Sequence, residues 1–180
     1  MPIRLLFIVL AVALAPEARA LEGVSLEDKV RTAFLYNFTK YVRWPGGESE
    51  GDFRIAVVGR TGVVAALEEL AESKQVDGRK IKVAPLESVD ALGPAHILFI
   101  ACSEKERLRE ILRKIKGKSI LTVGGCAGMA RQGAAINFVI RDGKMRFEIN
   151  RLAVERARLE MNSQLLKLAI LVEEEDHDQL

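Results

Sequence analysis

Short apolar runs alternate with amphipathic ones along most of the chain. Predominantly apolar runs, as expected for strands buried on both faces, occupy residues 53–59, 96–101 and 119–123, with a further strand near 80–84. Helical periodicity separates them in residues 63–71 and 103–116, where Ser103 and Glu106 form an S-x-x-E capping box. The alternation predicts a mainly parallel sheet covered by helices on both sides.

A two-residue period replaces this pattern in residues 136–149. Asp142-Gly143 is the preferred pair for a two-residue type I′ turn, and such a turn determines which residues lie opposite one another. One face then pairs apolar residues only, namely Ile136–Ile149, Phe138–Phe147 and Ile140–Met145. The other face is mostly polar and consists of Asn137–Glu148, Val139–Arg146 and Arg141–Lys144. Period, turn and register therefore predict an antiparallel hairpin.

Together the two patterns predict a single three-layer α/β/α domain with a mainly parallel sheet and a C-terminal antiparallel edge hairpin. A mostly apolar helix over residues 163–172 closes the domain. On the polar face of the hairpin, Asn137, Arg146 and Glu148 form a cluster with two interpretations. It is either a solvated, salt-bridged surface or a face that recognises a small ligand.

A helix is predicted from Ser25 to Arg43, ended by Trp44-Pro45-Gly46-Gly47. At 100° per residue its apolar positions form one broad stripe. The stripe consists of Leu26, Val30, Ala33, Phe34, Phe38 and Tyr41. Most aromatic residues of this helix are therefore expected in the core.

Tyr36 lies on the opposite face of this helix, among basic and polar side chains. Lys40 and Arg43 share that face, and Trp44 follows at the helix end. An aromatic side chain beside cations is typical of an interface hot spot, so we predict that Tyr36, Lys40, Arg43 and Trp44 contact a partner. Alternatively, the acidic tail or a neighbouring loop covers Tyr36.

Both ends of the chain differ from the domain. Residues 1–20 combine a basic start, an apolar run of about eleven residues and the small-x-small site Ala18-Arg19-Ala20, the three parts of a secretory signal peptide. We expect cleavage after Ala20, export to the periplasm and a mature domain over residues 21–172. Residues 173–180 are predicted to form an acidic, flexible tail.

Export determines how the two cysteines are interpreted. Cys102 and Cys126 follow two predicted parallel strands and so lie at the same edge of the sheet. In an oxidising compartment an even pair predicts a disulfide. Two cysteines without histidine or carboxylate help do not make a zinc site, so we predict no metal. Balanced charge without a basic, aromatic-rich stripe argues against a nucleic-acid partner.

No catalytic arrangement emerges from these residues. Gly59-Arg60-Thr61-Gly62 resembles a phosphate-binding loop but lacks its Lys-Ser/Thr element, and a tight strand-to-helix turn explains it. The glycine-rich residues 124–134 are interpreted as a connection rather than an anion site. A nucleophile with a paired base is missing, so we predict no catalytic residue, no cofactor and no enzymatic activity.

The chain resembles the YfiR-like family of bacterial periplasmic proteins from about Asp28 to Leu171. The resemblance rests on AFLYNFTKYVRWP, FRIAVVG, DGRKIKV, HILFIACSE and the long segment from ILTVGGCAG through RFEIN to SQLLKLA. It implies an α/β/α domain, often dimeric and not catalytic. It also implies repression of an inner-membrane diguanylate cyclase through that enzyme's periplasmic sensor region, which lowers cyclic di-GMP and restrains biofilm growth.

Three functions follow as hypotheses. The leading one is a periplasmic repressor of a membrane-bound diguanylate cyclase. The second is a small-molecule-binding or sensing module of another envelope signalling system, with its ligand at the carboxyl ends of the strands or on the hairpin face. An exported hydrolase is the third and lacks the residues that it would need.

Overall fold

The computed structural model describes residues 24–45 and 51–175. The predicted signal peptide, its cleavage site and the last five residues of the acidic tail lie outside these ranges. Within these ranges there are five α-helices, namely α1 (Leu26–Phe38), α2 (Val63–Ser73), α3 (Leu108–Lys114), α4 (Arg151–Arg156) and α5 (Ser163–Leu168). Short 3₁₀ helices cover Val89–Ala91 and Cys102–Arg107.

Ten strands accompany the helices in the described residues. They are β1 (Val42–Arg43), β2 (Phe53–Val58), β3 (Gln75–Val76), β4 (Arg79–Leu86), β5 (Ile97–Ile100), β6 (Leu121–Gly124), β7 (Ile136–Arg141), β8 (Lys144–Asn150), β9 (Glu160–Met161) and β10 (Ile170–Val172). Eight of them form one sheet in the order β10-β8-β7-β6-β5-β2-β4-β3, while β1 and β9 pair separately. Strands β4, β2, β5, β6 and β7 are mutually parallel, which confirms the predicted α/β fold with a mainly parallel sheet.

The sheet separates two buried clusters of different composition. One face packs aromatic side chains from α1 against the hairpin, where Phe38 lies 5.2 Å from Phe147 and Phe34 lies 5.8 Å from Phe138, measured between ring centroids. The opposite face is aliphatic and includes Leu98, Ile100 and Ile111. Because both faces are covered, the central strands are buried along their whole length.

The predicted hairpin is confirmed in its turn and its register. Asp142 and Gly143 have φ values of 51° and 69°, as a type I′ turn requires. Asn137 lies opposite Glu148 and Phe138 opposite Phe147, as predicted. The hairpin is not at the sheet edge, however, because β10 adds alongside β8 in parallel.

Strand β10 corrects the predicted C-terminal helix. That helix ends at Leu168, and Ala169 adopts an extended conformation with φ −86° and ψ 156°. The following residues, Ile170 to Val172, are apolar and two of them are β-branched, so they suit an edge strand as well as a helix. The open edge of β8 provides the hydrogen bonds that select the strand.

The first helix also differs from its prediction, since α1 ends at Phe38 rather than Arg43. Thr39 caps it, with its Oγ1 donating to the carbonyl oxygen of Tyr36 at 2.7 Å. Val42 is buried and pairs with Met161. The buried face is centred on Thr32, Leu35 and Phe38. In contrast, Leu26, which was predicted in the apolar stripe, is 80% exposed.

The predicted capping role of Ser103 is wrong. Its Oγ accepts a hydrogen bond from the backbone N–H of Arg60 at 3.0 Å. The N-cap of the 3₁₀ segment is Ala101, which makes no side-chain capping bond. Ser103 therefore fastens the loop after β2 to the loop after β5.

Candidate functional site

Tyr36 and Lys40 are adjacent, as the helical spacing predicts. The Lys40 Nζ atom lies 4.8 Å from the centroid of the Tyr36 ring and also donates to Asn37 Oδ1 at 3.0 Å. Tyr36 is half-buried, and its hydroxyl donates to the carbonyl oxygen of Gln75 at 3.2 Å. The described residue that contacts the Tyr36 hydroxyl therefore belongs to β3. The Lys40 ammonium group lies over one face of the Tyr36 ring.

An open groove of about 480 Å³ runs from Tyr36 along the end of α2 to β4. Its charged lining consists of Glu72 and three lysines, Lys74, Lys80 and Lys82. Lys80 and Lys82 are two residues apart on one strand and so lie on the same side of the sheet. Sequence reasoning missed this group because its members come from three separate segments. The alternating K-x-K of β4 was the one available signal.

Arg43 and Trp44 lie beyond the end of α1 and make different contacts. Arg43 is exposed on β1 and opposite Glu160. Trp44 is half-buried, and its Nε1 donates to the carbonyl oxygen of His96 at 2.9 Å. Its ring meets Phe53 edge-on at 5.3 Å. Of the four residues predicted to contact a partner, Tyr36 and Lys40 contact each other. Trp44 instead binds the segment after α1 to the sheet.

His96 immediately precedes β5, one residue outside the strand that was predicted to contain it. Its Nδ1 accepts a hydrogen bond from the Arg54 backbone N–H at 3.0 Å, and Arg79 Nη1 lies 3.4 Å from its Nε2. The ring stacks on Phe53 at 4.4 Å. Burial lowers the pKa of His96 below its ordinary value, and the charge of Arg79 lowers it further.

The polar face of the hairpin is buried at Asn137 and Glu148 but exposed at Arg141, Lys144 and Arg146, so the interpretation of a solvated surface is wrong for the first two residues only. Asn137 is fully buried, and its Oδ1 accepts a hydrogen bond from the Ala130 N–H at 2.6 Å. Glu148 is 4% exposed, and its Oε2 is buried without a hydrogen-bond partner among the described residues. Arg146 remains exposed. The glycine-rich residues 124–134 cover this face at Asn137 through Ala130. From the sequence alone, these residues are interpreted as a connection.

The beginning of the acidic tail is attached to the same region. Glu174 pairs with Arg156, with Nη1 and Oε1 3.2 Å apart, and accepts a hydrogen bond from Asn150 Nδ2 at 3.3 Å. Asn150 also donates to the carbonyl oxygen of Ala130 at 2.8 Å. Through Asn150, hydrogen bonds therefore connect the beginning of the tail at Glu174, the hairpin strand β8 and the glycine-rich loop at Ala130.

Cys102 and Cys126 lie at the carboxyl ends of the adjacent strands β5 and β6. Both are present as thiols, with Cys102 exposed and Cys126 partly buried. Burial raises the pKa of Cys126 to about 12, with the neighbouring Cys102 side chain as the second cause. This placement is compatible with the predicted disulfide, which stays a prediction. Histidine, cysteine and carboxylate side chains form no group of three within the described residues.

The loop after β2 is built as a tight turn. Gly59 has φ +90°, and a Cβ atom there would come within 2.6 Å of Ser103 Oγ. A larger residue would therefore be strained and would push the two loops apart. Gly62 is similarly close to Asp28, where a Cβ atom would lie 2.5 Å from Oδ2. A carboxylate at this position makes the turn unsuitable for a phosphate.

These features define a three-layer α/β domain with a mainly parallel sheet, in which the antiparallel hairpin of β7 and β8 lies between β6 and β10. The model of the YfiR/HmsC-like family matches residues 28–170. The chain belongs to this family, which confirms the resemblance seen in the sequence. No curated protein sequence matches the chain.

Among solved structures, the fold is similar to the ABC domain from Streptococcus pneumonia in complex with L-Trp. The TM-score is 0.56 at 9% sequence identity, over 81% of this chain and 60% of that one. The chain thus spans less than two thirds of that structure, and the likeness concerns the fold alone. No helix in the described ranges has the length and apolar character needed to cross a membrane.

Proposed function

We propose that the protein is a periplasmic regulator that binds and represses a membrane-bound diguanylate cyclase through the periplasmic sensor region of that enzyme. The observation that carries this proposal is membership of the YfiR/HmsC-like family over residues 28–170. The protein is exported with cleavage after Ala20, so the mature chain begins at Leu21. Mass spectrometry of the periplasmic fraction checks this processing. A full-length species retained in the inner membrane contradicts it.

The contact surface proposed for the cyclase is the Tyr36–Lys40 pair with its groove. An aromatic ring that is half-buried loses little conformational freedom on binding, which suits an anchor residue. Lys74, Lys80 and Lys82 add positive charge along the groove. The surface therefore fits an acidic segment of the sensor region, since complementary charge accelerates association and determines orientation. Arg43 and Trp44 border the same end of α1 and complete the proposed surface.

Gene deletion tests the function. Loss of the protein should raise cellular cyclic di-GMP, and a catalytically inactive cyclase should abolish that rise. Complementation with the wild-type chain should restore the low level, whereas Tyr36→Ala and Lys40→Glu should restore it incompletely. Lys118→Glu changes the same charge at an exposed position on a different segment and should behave as wild type. Unchanged cyclic di-GMP across several growth conditions would contradict the repressor function.

A second function is supported by one observation on the hairpin. The buried Glu148 carboxylate has an oxygen with no hydrogen-bond partner in the described part of the chain. It lies opposite Asn137 and two residues from the exposed Arg146 on the same strand. We propose that a small ligand with a hydrogen-bond donor and an anionic group binds there, as in a sensing module. A screen for thermal stabilisation tests this, because a ligand at 100 times its Kd adds about 2.7 kcal/mol. Stabilisation should disappear in Glu148→Gln and persist in Glu155→Gln.

A homodimer is proposed through β10. In the described part of the sheet this strand pairs only with β8. Leu168, just before the strand, is 69% exposed, and Leu171, within it, is 51% exposed. Exposed edges with large aliphatic side chains favour pairing with another strand. Sedimentation equilibrium of the wild type and Leu171→Lys decides the point. A monomeric wild type rules the dimer out.

A further inference from the structure

Three sulfur-containing side chains converge at the carboxyl ends of β5 and β6. Cys102 follows β5, Cys126 follows β6, and Met129 lies three residues further along the glycine-rich loop. Met129 is fully buried, whereas Cys102 is exposed. The group therefore combines a buried thioether with a thiol that solvent reaches.

Backbone register brings the two cysteines side by side. Ile100 and Gly124 are partners in the parallel pair, and each cysteine comes two residues later. The Gly125 N–H donates to the Ile100 carbonyl oxygen at 2.8 Å. A Cβ atom on Gly125 would lie 3.3 Å from the Cys102 nitrogen, so the two backbones run in contact.

Met129 completes the group from the other side. Its Sδ lies 3.9 Å from the Sγ of Cys126. A Cβ atom on Gly124 would be 2.8 Å from the same Sδ, so the thioether reaches back over a residue that has no side chain. Glycine at position 124 is what allows the sulfur to approach the strand ends.

The distance between the sulfurs of Cys126 and Met129 suits a three-coordinate metal ion. With metal–sulfur bonds of about 2.3 Å, a trigonal site separates its ligands by about 4 Å. The measured 3.9 Å between Cys126 and Met129 agrees with this value. Two thiolates and a thioether are soft ligands, which select Cu(I), whereas zinc sites take four ligands from cysteine, histidine and carboxylate.

The surrounding charges fit the same ion. Two thiolates with Cu(I) carry a net charge of −1. Burial and the neighbouring Cys102 raise the pKa of Cys126, and the positive charges of Lys105 and Arg31 partly oppose this rise. These cations would stabilise the anionic complex. His96 lies at the opposite end of β5, so it does not extend the site toward a zinc geometry.

We propose that Cys102, Cys126 and Met129 bind one Cu(I) ion when both cysteines are reduced. Each thiol releases one proton as its sulfur bonds to the metal, and no electron is transferred. A disulfide would consume both thiols, so the oxidised pair and the copper-loaded pair exclude each other. The site is independent of the proposed contact with a cyclase.

The test uses the reduced mature protein under anaerobic conditions with Cu(I) supplied as its bicinchoninate complex. The protein should withdraw one Cu(I) per chain and develop the ultraviolet absorption of a thiolate–Cu(I) bond. Cys126→Ser should abolish withdrawal. Met129→Leu preserves volume and should weaken Cu(I) affinity at least about tenfold, the lower end of what even outer-shell partners contribute to metal affinity. The matched control Met145→Leu should bind as wild type.

The site would be overturned by either of two results. One is a reduced wild-type protein that fails to compete with bicinchoninate. The other is equal Cu(I) affinity in wild type and Met129→Leu, which would reduce the site to the two thiols alone. Circular dichroism of each variant identifies a misfolded protein, and Cys102→Ser, altered at an exposed position, then provides the second test of thiolate binding.

Discussion

The indole nitrogen of Trp44 donates a hydrogen bond of 2.9 Å to the carbonyl oxygen of His96, 52 positions later in the chain. The same carbonyl oxygen accepts a second hydrogen bond from the Leu121 N–H at 2.9 Å. Trp44 thus connects the segment after α1 to two strands of the sheet. Trp44, which the sequence predicts as a partner contact, therefore has a structural role in the fold.

Trp44→Phe should lower the free energy of unfolding by about 1 kcal/mol, the net contribution of a typical hydrogen bond. The cost stays moderate because Leu121 still satisfies the carbonyl oxygen of His96. Urea unfolding followed by circular dichroism measures this loss of stability. Tryptophan fluorescence does not serve as the probe, because Trp44 is the only tryptophan and the variant removes it. Tyr41→Phe removes a hydroxyl from a neighbouring aromatic residue and should change stability by less than about 0.5 kcal/mol. Equal stability of both variants would show that the indole bond contributes nothing.

Stability should depend on pH through His96. Burial and Arg79 hold its folded-state pKa below the ordinary value of 6.5, so the unfolded chain binds the proton more readily. This contribution is complete above pH 6.5 and is lost as the pH falls from there through the folded-state pKa. Thermal unfolding between about pH 5 and pH 7, above the ordinary carboxyl range, measures it. His96→Asn keeps an acceptor for the Arg54 N–H and should flatten the profile; an unchanged slope would assign the effect to other groups.

Phe34→Ala should cost about 3 kcal/mol of stability, the lower end of the range for truncated core phenylalanines, because Phe34 is only partly buried. Its ring contacts Phe38, Phe138 and Phe147 at 5.6–6.1 Å. Phe34→Leu keeps most of that contact and should cost less than about 1.5 kcal/mol. Chemical denaturation compares the two. A small loss in both variants would mean that the aromatic cluster rearranges to fill the space.

The protein isolated from an oxidising compartment should contain a disulfide between Cys102 and Cys126. Closing this loop should add roughly 3 kcal/mol to the free energy of unfolding. Thiol titration of the denatured, unreduced chain checks the bond, and two reactive thiols would exclude it. In Cys102→Ser the remaining Cys126 should alkylate slowly at neutral pH, because burial, the main cause of its pKa of about 12, persists. Cys126→Ser, which leaves the exposed Cys102, is the fast-reacting control.

The turn and the register of the hairpin could be predicted because their determinants are local. Asp142-Gly143 specifies the turn, and the two-residue period then specifies every opposite pair. Strand β10 could not be predicted, since an apolar Ile-Leu-Val is compatible with a helix until the edge of β8 is available. Likewise, Val42 and Arg43 leave the helical pattern because Met161 and Glu160 pair with them.

The candidate site was predictable only where its residues share one element. The proximity of Tyr36 and Lys40 follows from their spacing of four residues, which spans the end of α1 and the turn after it. In contrast, the lysines of the groove and the burial of Glu148 depend on how distant segments pack. Met129 was missed as a potential ligand because methionine at a single position carries no periodic signal.

Strand β10 places a constraint on the timing of folding. The outer edge of β8 stays open until residues 170–172 arrive, and the contacts of Glu174 with Arg156 and Asn150 follow even later in the chain. Under the proposed export, a chain threading through a translocation pore would therefore lack strand β10 until residues 170–172 had emerged. Such a chain would cross as an incomplete fold and close its sheet only on the far side.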